Sequence, residues 1–231
     1  MKIKIKTGFT ISFIALLFLM NEAHEIVHTT VGRIICGCWG KRDFNVWDLC
    51  EGCLSQHPSA LFATFAGPVF TFIMIWVGAF YLGKNKSAAQ RSFGFALIFA
   101  NMPFARLFQP LAGGGDEVWA LSKLMQNHTS ARIVGFTIIL LITIYPLYKA
   151  YKLIGNKRRL LWFLLFFLTP VLIDQLFHLG LMNNLLEKGV LNNYWILGSP
   201  VLITVWTFLM LVIFLITRKN IYKLFDGGVK F

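Results

Sequence analysis

Five stretches of this chain contain no Asp, Glu, Lys or Arg and consist almost wholly of apolar side chains: Gly8–Met20, Ser59–Leu82, Ile133–Leu147, Leu160–Ile173 and Val201–Thr217. Several extend to about 20 residues, enough to cross about 30 Å of hydrocarbon. With 57% hydrophobic and only 14% charged residues in 231, the chain is too apolar for a soluble domain of its length. The expected fold is therefore all-α: a polytopic protein of the cell (cytoplasmic) membrane, with residues 1–231 forming one integral membrane domain in contact with the lipid bilayer. Six segments are expected, at about 8–30, 60–82, 92–112, 132–150, 159–182 and 198–217. The third holds Asn101, Pro103, Arg106 and Pro110, so it is expected to be broken or re-entrant. A helix from Ser92 to about Asn101 would be followed by non-helical chain. Gly113–Gly115 would then turn the chain into a short helix with one apolar face, lying at the interface.

A formal net charge of +12 raises nucleic acid as a partner, but the placement of the charges excludes it. Lys2, Lys4, Lys6, Lys84, Lys86, Arg91, Lys149, Lys152, Lys157, Arg158, Arg159, Arg218, Lys219, Lys223 and Lys230 make up fifteen of the 22 basic residues. All flank apolar spans on alternate loops. The positive-inside rule then puts both termini and these loops in the cytoplasm. MKIKIK followed by GFTISFIALLFLM is like a signal peptide, but no small-residue cleavage site precedes NEAHE. A retained first helix is expected.

That first helix carries HEIVH at residues 24–28. His24 and His28 are spaced i, i+4, so on a helix their imidazoles stack about 6 Å apart on one face and can share a Zn²⁺ at about 2.1 Å. Glu25 lies about 100° round the helix, where it can take a proton from a water activated by the metal. Ionisable groups inside a membrane helix are rare without function. A tetrahedral site needs a further ligand, and Asp116, Asp174, His178 and Glu22 are candidates. Asp116 follows three glycines, which allow close backbone approach, but an N-cap is an ordinary role for Asp. Asp174 and His178, also i, i+4, read foremost as a structural pair between helices, with a relay near the site as the other reading. His57 and His128 read as solvated loop residues.

HEIVH in a membrane helix, FAGPVFTF at 65–72 in the next, and NMP…GGGDE at 101–117 together resemble the site-2 protease family of intramembrane zinc metalloproteases. The resemblance covers roughly residues 15–125, leaving 132–217 as additional transmembrane helices. It implies zinc bound by His24, His28 and Asp116, Glu25 as the catalytic base, and Asn101 orienting substrate or stabilising the oxyanion. Gly67 and Pro68 would shape the helix beside the metal. The implied substrate is a membrane protein or a leftover signal peptide. In the family the Asn-to-Asp interval is shorter and the Asp precedes a glycine; here glycines precede Asp116 and Glu117 follows it. The family's HExxH helix also usually runs from outside to inside, opposite to the charge count for residues 8–30. The alternative function is a zinc-binding membrane protein without protease activity, a scaffold or metal-handling protein. A small transporter is a third reading, although no inverted repeat is present.

All four cysteines, Cys36, Cys38, Cys50 and Cys53, fall in the loop 31–59. On the outer face they would form disulfides. In the cytoplasm CxC…CxxC would suit a second zinc site. Either staple would fix a cap over the HEIVH helix.

Overall fold

The computed structural model describes residues 1–225; Lys230 of the charge count lies outside them. Among the described residues the fold is all-helical with no β-strand. Five helices among the described residues are long and apolar enough to cross a membrane: α1 (Thr7–Cys36), α2 (Pro58–Tyr81), α6 (His128–Leu153), α7 (Arg159–Glu187) and α8 (Val201–Lys223). Between α2 and α6 lie three shorter helices, α3 (Ala88–Ala100), α4 (Pro103–Ala112) and α5 (Asp116–Met125).

The expected third segment is thus two helices, and the stretch after Asn101 is helical rather than irregular. The reason is local. Met102 adopts a left-handed backbone (φ 45°) that ends α3, and Pro103 begins α4 at its first position, where the missing N–H costs nothing. Pro110 sits in the last turn of α4. The first helix is longer than expected and runs on to Cys36, where Gly37 at φ 76° closes it by donating its N–H to Arg33 O. α7 also runs past residue 182. It contains a π-helical stretch, Gln175–Met182, a form found mostly in short pieces and often near functional sites.

α1 is the centre of the bundle. Its polar residues Asn21, Glu22, His24, Glu25, His28 and Thr29 are all buried against protein, as intramembrane polar groups must be. The buried face of α2 is mostly small, Ala63, Thr64, Gly67, Thr71, Gly78 and Ala79, with Pro68 and Ile75 among them. Without a hydrophobic drive between helices in lipid, such residues let backbones approach. A Cβ on Gly78 would stand 2.7 Å from Gly94 O, and one on Gly94 would stand 2.5 Å from Gly78 O. Glycine is required on both sides of that α2–α3 contact.

The two ends of the bundle differ. At one end, the Met1 ammonium donates to Leu153 O at 2.7 Å and Ile3 N to Asn156 Oδ1 at 2.7 Å. Lys4 N donates to Leu224 O at 3.0 Å, and Phe225 N to Ser92 Oγ at 3.2 Å. Beneath them lies an aromatic core including Phe9, Phe13, Phe95, Phe99 and Phe166. The other end is a cap formed by the loop after α1 and the 188–200 connection. Arg42 N donates to Gly198 O at 3.0 Å, and Asn183 Nδ2 to Asn45 Oδ1 at 3.1 Å. Tyr194 donates to Asp43 at 3.2 Å; burial, then the neighbouring Asp43 carboxylate, raises its phenol pKa. Two disulfides, Cys36–Cys53 and Cys38–Cys50, staple the cap.

Candidate metal centre

The i, i+4 spacing on α1 brings the two Nε2 atoms of His24 and His28 to 3.0 Å from each other. Asp116 Oδ2, at the start of α5, lies 3.4 Å from His24 Nε2 and 3.5 Å from His28 Nε2. For a metal with bonds near 2.1 Å, as zinc has to imidazole, the edge of a tetrahedron is roughly 3.4 Å. The two separations to Asp116 match that edge and the one between the histidines, at 3.0 Å, is shorter, so the residues fit a metal ion after a small spreading of the imidazoles. The remaining ring nitrogens are occupied: His24 Nδ1 is 2.9 Å from Thr71 Oγ1, and His28 Nδ1 is 2.8 Å from Ala63 O. Such partners fix ring orientation and turn both Nε2 atoms towards Asp116.

Space for an ion depends on α2. A Cβ on Gly67 would collide with His28 Nε2 and come within 2.8 Å of His24 Cε1. Pro68 sits one position on and has no N–H for Thr64 O. On the far side, the His28 ring stacks on Trp47 of the cap, with centroids 4.6 Å apart and planes at 13°. Trp47 is a contact that no spacing in the sequence announces.

A cavity of about 720 Å³ opens beside the triad, within the size range of ligand pockets. His24, Glu25, Asp116 and Arg106 line one wall, cap residues 45–55 another, and Val171, Asp174 and Gln175 of α7 a third. Glu25 is 5% exposed, and its Oε2 has no hydrogen-bond partner. Arg106 lies at the triad itself: Nη1 is 3.2 Å from Asp116 Oδ2 and Nη2 is 3.0 Å from His24 Nε2.

The other expected site residues are placed as follows. Asn101 donates to Leu97 O at 2.7 Å and lines a small recess behind His24, shared with Thr71 and Arg106. Glu22 pairs with Arg42 of the cap and is outside the ligand set. His178 Nδ1 lies 2.9 Å from Asp174 Oδ1 and 3.1 Å from the Asn21 amide, packed on Phe18 and Phe44. His57 is exposed, and exposed His128 begins α6 with Nε2 3.1 Å from Gly113 O. The four cysteine sulfurs are consumed in disulfides. Cys36, Cys50 and Cys53 are close enough to hold a metal only as thiolates, hence only in reduced protein.

Arg106, Glu117 and Trp47 were absent from the expected site. A signal for Arg106 existed: an arginine inside an apolar segment is costly, and marks a candidate site by default. No family model, curated protein or solved structure matches the chain.

Proposed function

We propose that this chain is an intramembrane zinc metalloprotease, similar to the site-2 proteases, that hydrolyses a peptide bond in or near a membrane helix of its substrate. The carrying observation is that the His24, His28 and Asp116 donor atoms are close enough to share one metal ion, and that His24, Asp116 and Glu25, whose Oε2 has no hydrogen-bond partner, line one cavity. Zinc bound there supplies a Lewis acid that activates water and polarises a carbonyl. The chain's own residues do the rest. Thr71 and Ala63 hold the imidazoles in register. Glu25 accepts the proton of the attacking water and returns it to the leaving amine. Trp47 of the cap covers His28.

The chain crosses the membrane six times in this reading, with α3 and α4 together forming a broken third pass. The basic end faces the cytoplasm, and the disulfide-stapled cap faces the oxidising side. α1 rises about 1.5 Å per residue, so His24, seventeen residues after Thr7, lies about 26 Å along it, towards the capped face. Substrate segments just outside the membrane, or in its outer half, fit a site at that depth.

The test is zinc content and cleavage with detergent-purified protein and a panel of single-span membrane substrates. Wild type should carry one zinc per chain, and His24→Ala and Asp116→Ala should carry none. Glu25→Gln should keep its zinc and cleave nothing. Zinc retained in His24→Ala would remove the metal from this site. Undiminished cleavage by Glu25→Gln would end the protease reading.

A further inference from the structure

We propose that Arg106 stabilises the oxyanion formed during hydrolysis, and that Glu117 positions it; this rests on the protease reading above. Arg106 is 8% exposed on a short helix between apolar segments, where a charge survives only with partners. Its two terminal nitrogens lie against two of the three ligating residues, Asp116 and His24. It also lines the cavity that holds Glu25. A scissile carbonyl must sit beside the metal and within reach of Glu25, which brings its oxygen to the guanidinium.

The backbone explains how Arg106 gets there. The left-handed turn at Met102 and the start of α4 at Pro103 redirect the chain, and Arg106 closes the first turn with its N–H on Met102 O at 3.3 Å. Asn101, which the family resemblance would assign to the oxyanion, already gives its amide to Leu97 O and lines only the recess behind His24. Glu117 supplies the counter-charge: it is 5% exposed, its oxygens have no hydrogen-bond partner, and Oε2 lies 3.9 Å from Arg106 Nη1. The glutamate that stands where the family has glycine thus has a role in this chain.

The step balances with water and the chain's own groups. The water oxygen bonds the carbonyl carbon, Glu25 takes a water proton, and the C=O π pair moves onto oxygen. Arg106 donates hydrogen bonds to that oxygen while it is negative. The pair then re-forms C=O, the C–N bond breaks, and the nitrogen takes the proton from Glu25. A donor that meets charge present only in the transition state raises kcat and leaves KM nearly unchanged.

The experiment compares wild type, Arg106→Gln and Arg106→Lys as full-length, zinc-loaded protein in detergent. The probes are an apolar peptide with a phosphonamidate in place of one amide, and the same peptide unmodified. Zinc stoichiometry and affinity are measured alongside. Arg106→Gln should keep one zinc per chain and bind the unmodified peptide normally. Its affinity for the phosphonamidate should fall about 100- to 1,000-fold, the loss typical of one oxyanion donor. Arg106→Lys should recover part of that loss, and Glu117→Gln should lose less than Arg106→Gln. Equal phosphonamidate affinity in wild type and Arg106→Gln would overturn the role of Arg106 and leave the protease reading standing. Loss of zinc in both Arg106 variants would make the arginine a support for Asp116 and overturn it too. A zinc-bound wild type that ignores the phosphonamidate would overturn both readings.

Discussion

The capped end and the basic end of this molecule are held together by different means. At the basic end the helices meet through glycine contacts between Gly78 and Gly94, aromatic packing, and hydrogen bonds that tie residues 1–4 to residues 153–156 and 224. The capped end depends on two disulfides and a buried Glu22–Arg42 ion pair, plus a tryptophan stacked on a histidine. Close packing in lipid needs small residues; a polar cavity needs partners for every buried charge. The site lies at the capped end because that is where the bundle is held apart rather than packed shut.

If this contrast is right, one added methyl group should act differently at the two ends. Gly67→Ala should weaken zinc binding about 100-fold or more, beyond what loss of a supporting contact causes, because the Cβ displaces His28. Metal titration with a competing chelator reads this directly, and unchanged affinity would break the comparison. Arg42→Ala leaves Glu22 buried without its partner, and should cost about 3–5 kcal/mol. Thermal unfolding in detergent should show a large drop at the cap, with the basic end the last to melt. Replacing Cys36 and Cys53 by Ser should remove about 2–4 kcal/mol while zinc remains bound, since the ligands sit on α1 and α5. Loss of metal in that variant would mean that the cap builds the site rather than covering it. Gly94→Ala presses a Cβ on the Gly78 backbone and should cost at least about 1–3 kcal/mol of overpacking. It should lower the melting temperature and leave zinc affinity untouched.

Periodic and short-range features were the ones the sequence carried openly. The i, i+4 histidines, the apolar windows and the break near Pro103 are local, and each follows from helix geometry or from proline chemistry. The residues alone left Asp116 as one of four candidates, and only the family resemblance singled it out, because its distance from His24 is set by the path of the three helices between them. Glu22, another candidate, is drawn away by Arg42, a partner twenty residues distant on the cap. The cysteine spacing left both a metal and disulfides open; the closeness of the four residues in the folded cap resolves the pairing as Cys36–Cys53 and Cys38–Cys50. Arg106 looked like one more helix-interrupting residue in a troubled segment. Only the fold shows that the interruption brings its guanidinium to the histidines.

The staples also impose an order of events. Cys36–Cys53 and Cys38–Cys50 span 17 and 12 residues, so α1 and its loop contain everything needed to close them. Asp116 lies 92 residues beyond His24. During synthesis the loop after α1 can be stapled before Asp116 is made. The 188–200 connection, which completes the cap through Gly198 on Arg42 and Tyr194 on Asp43, comes later still, so the two histidines, Asp116 and the full cover assemble in that order.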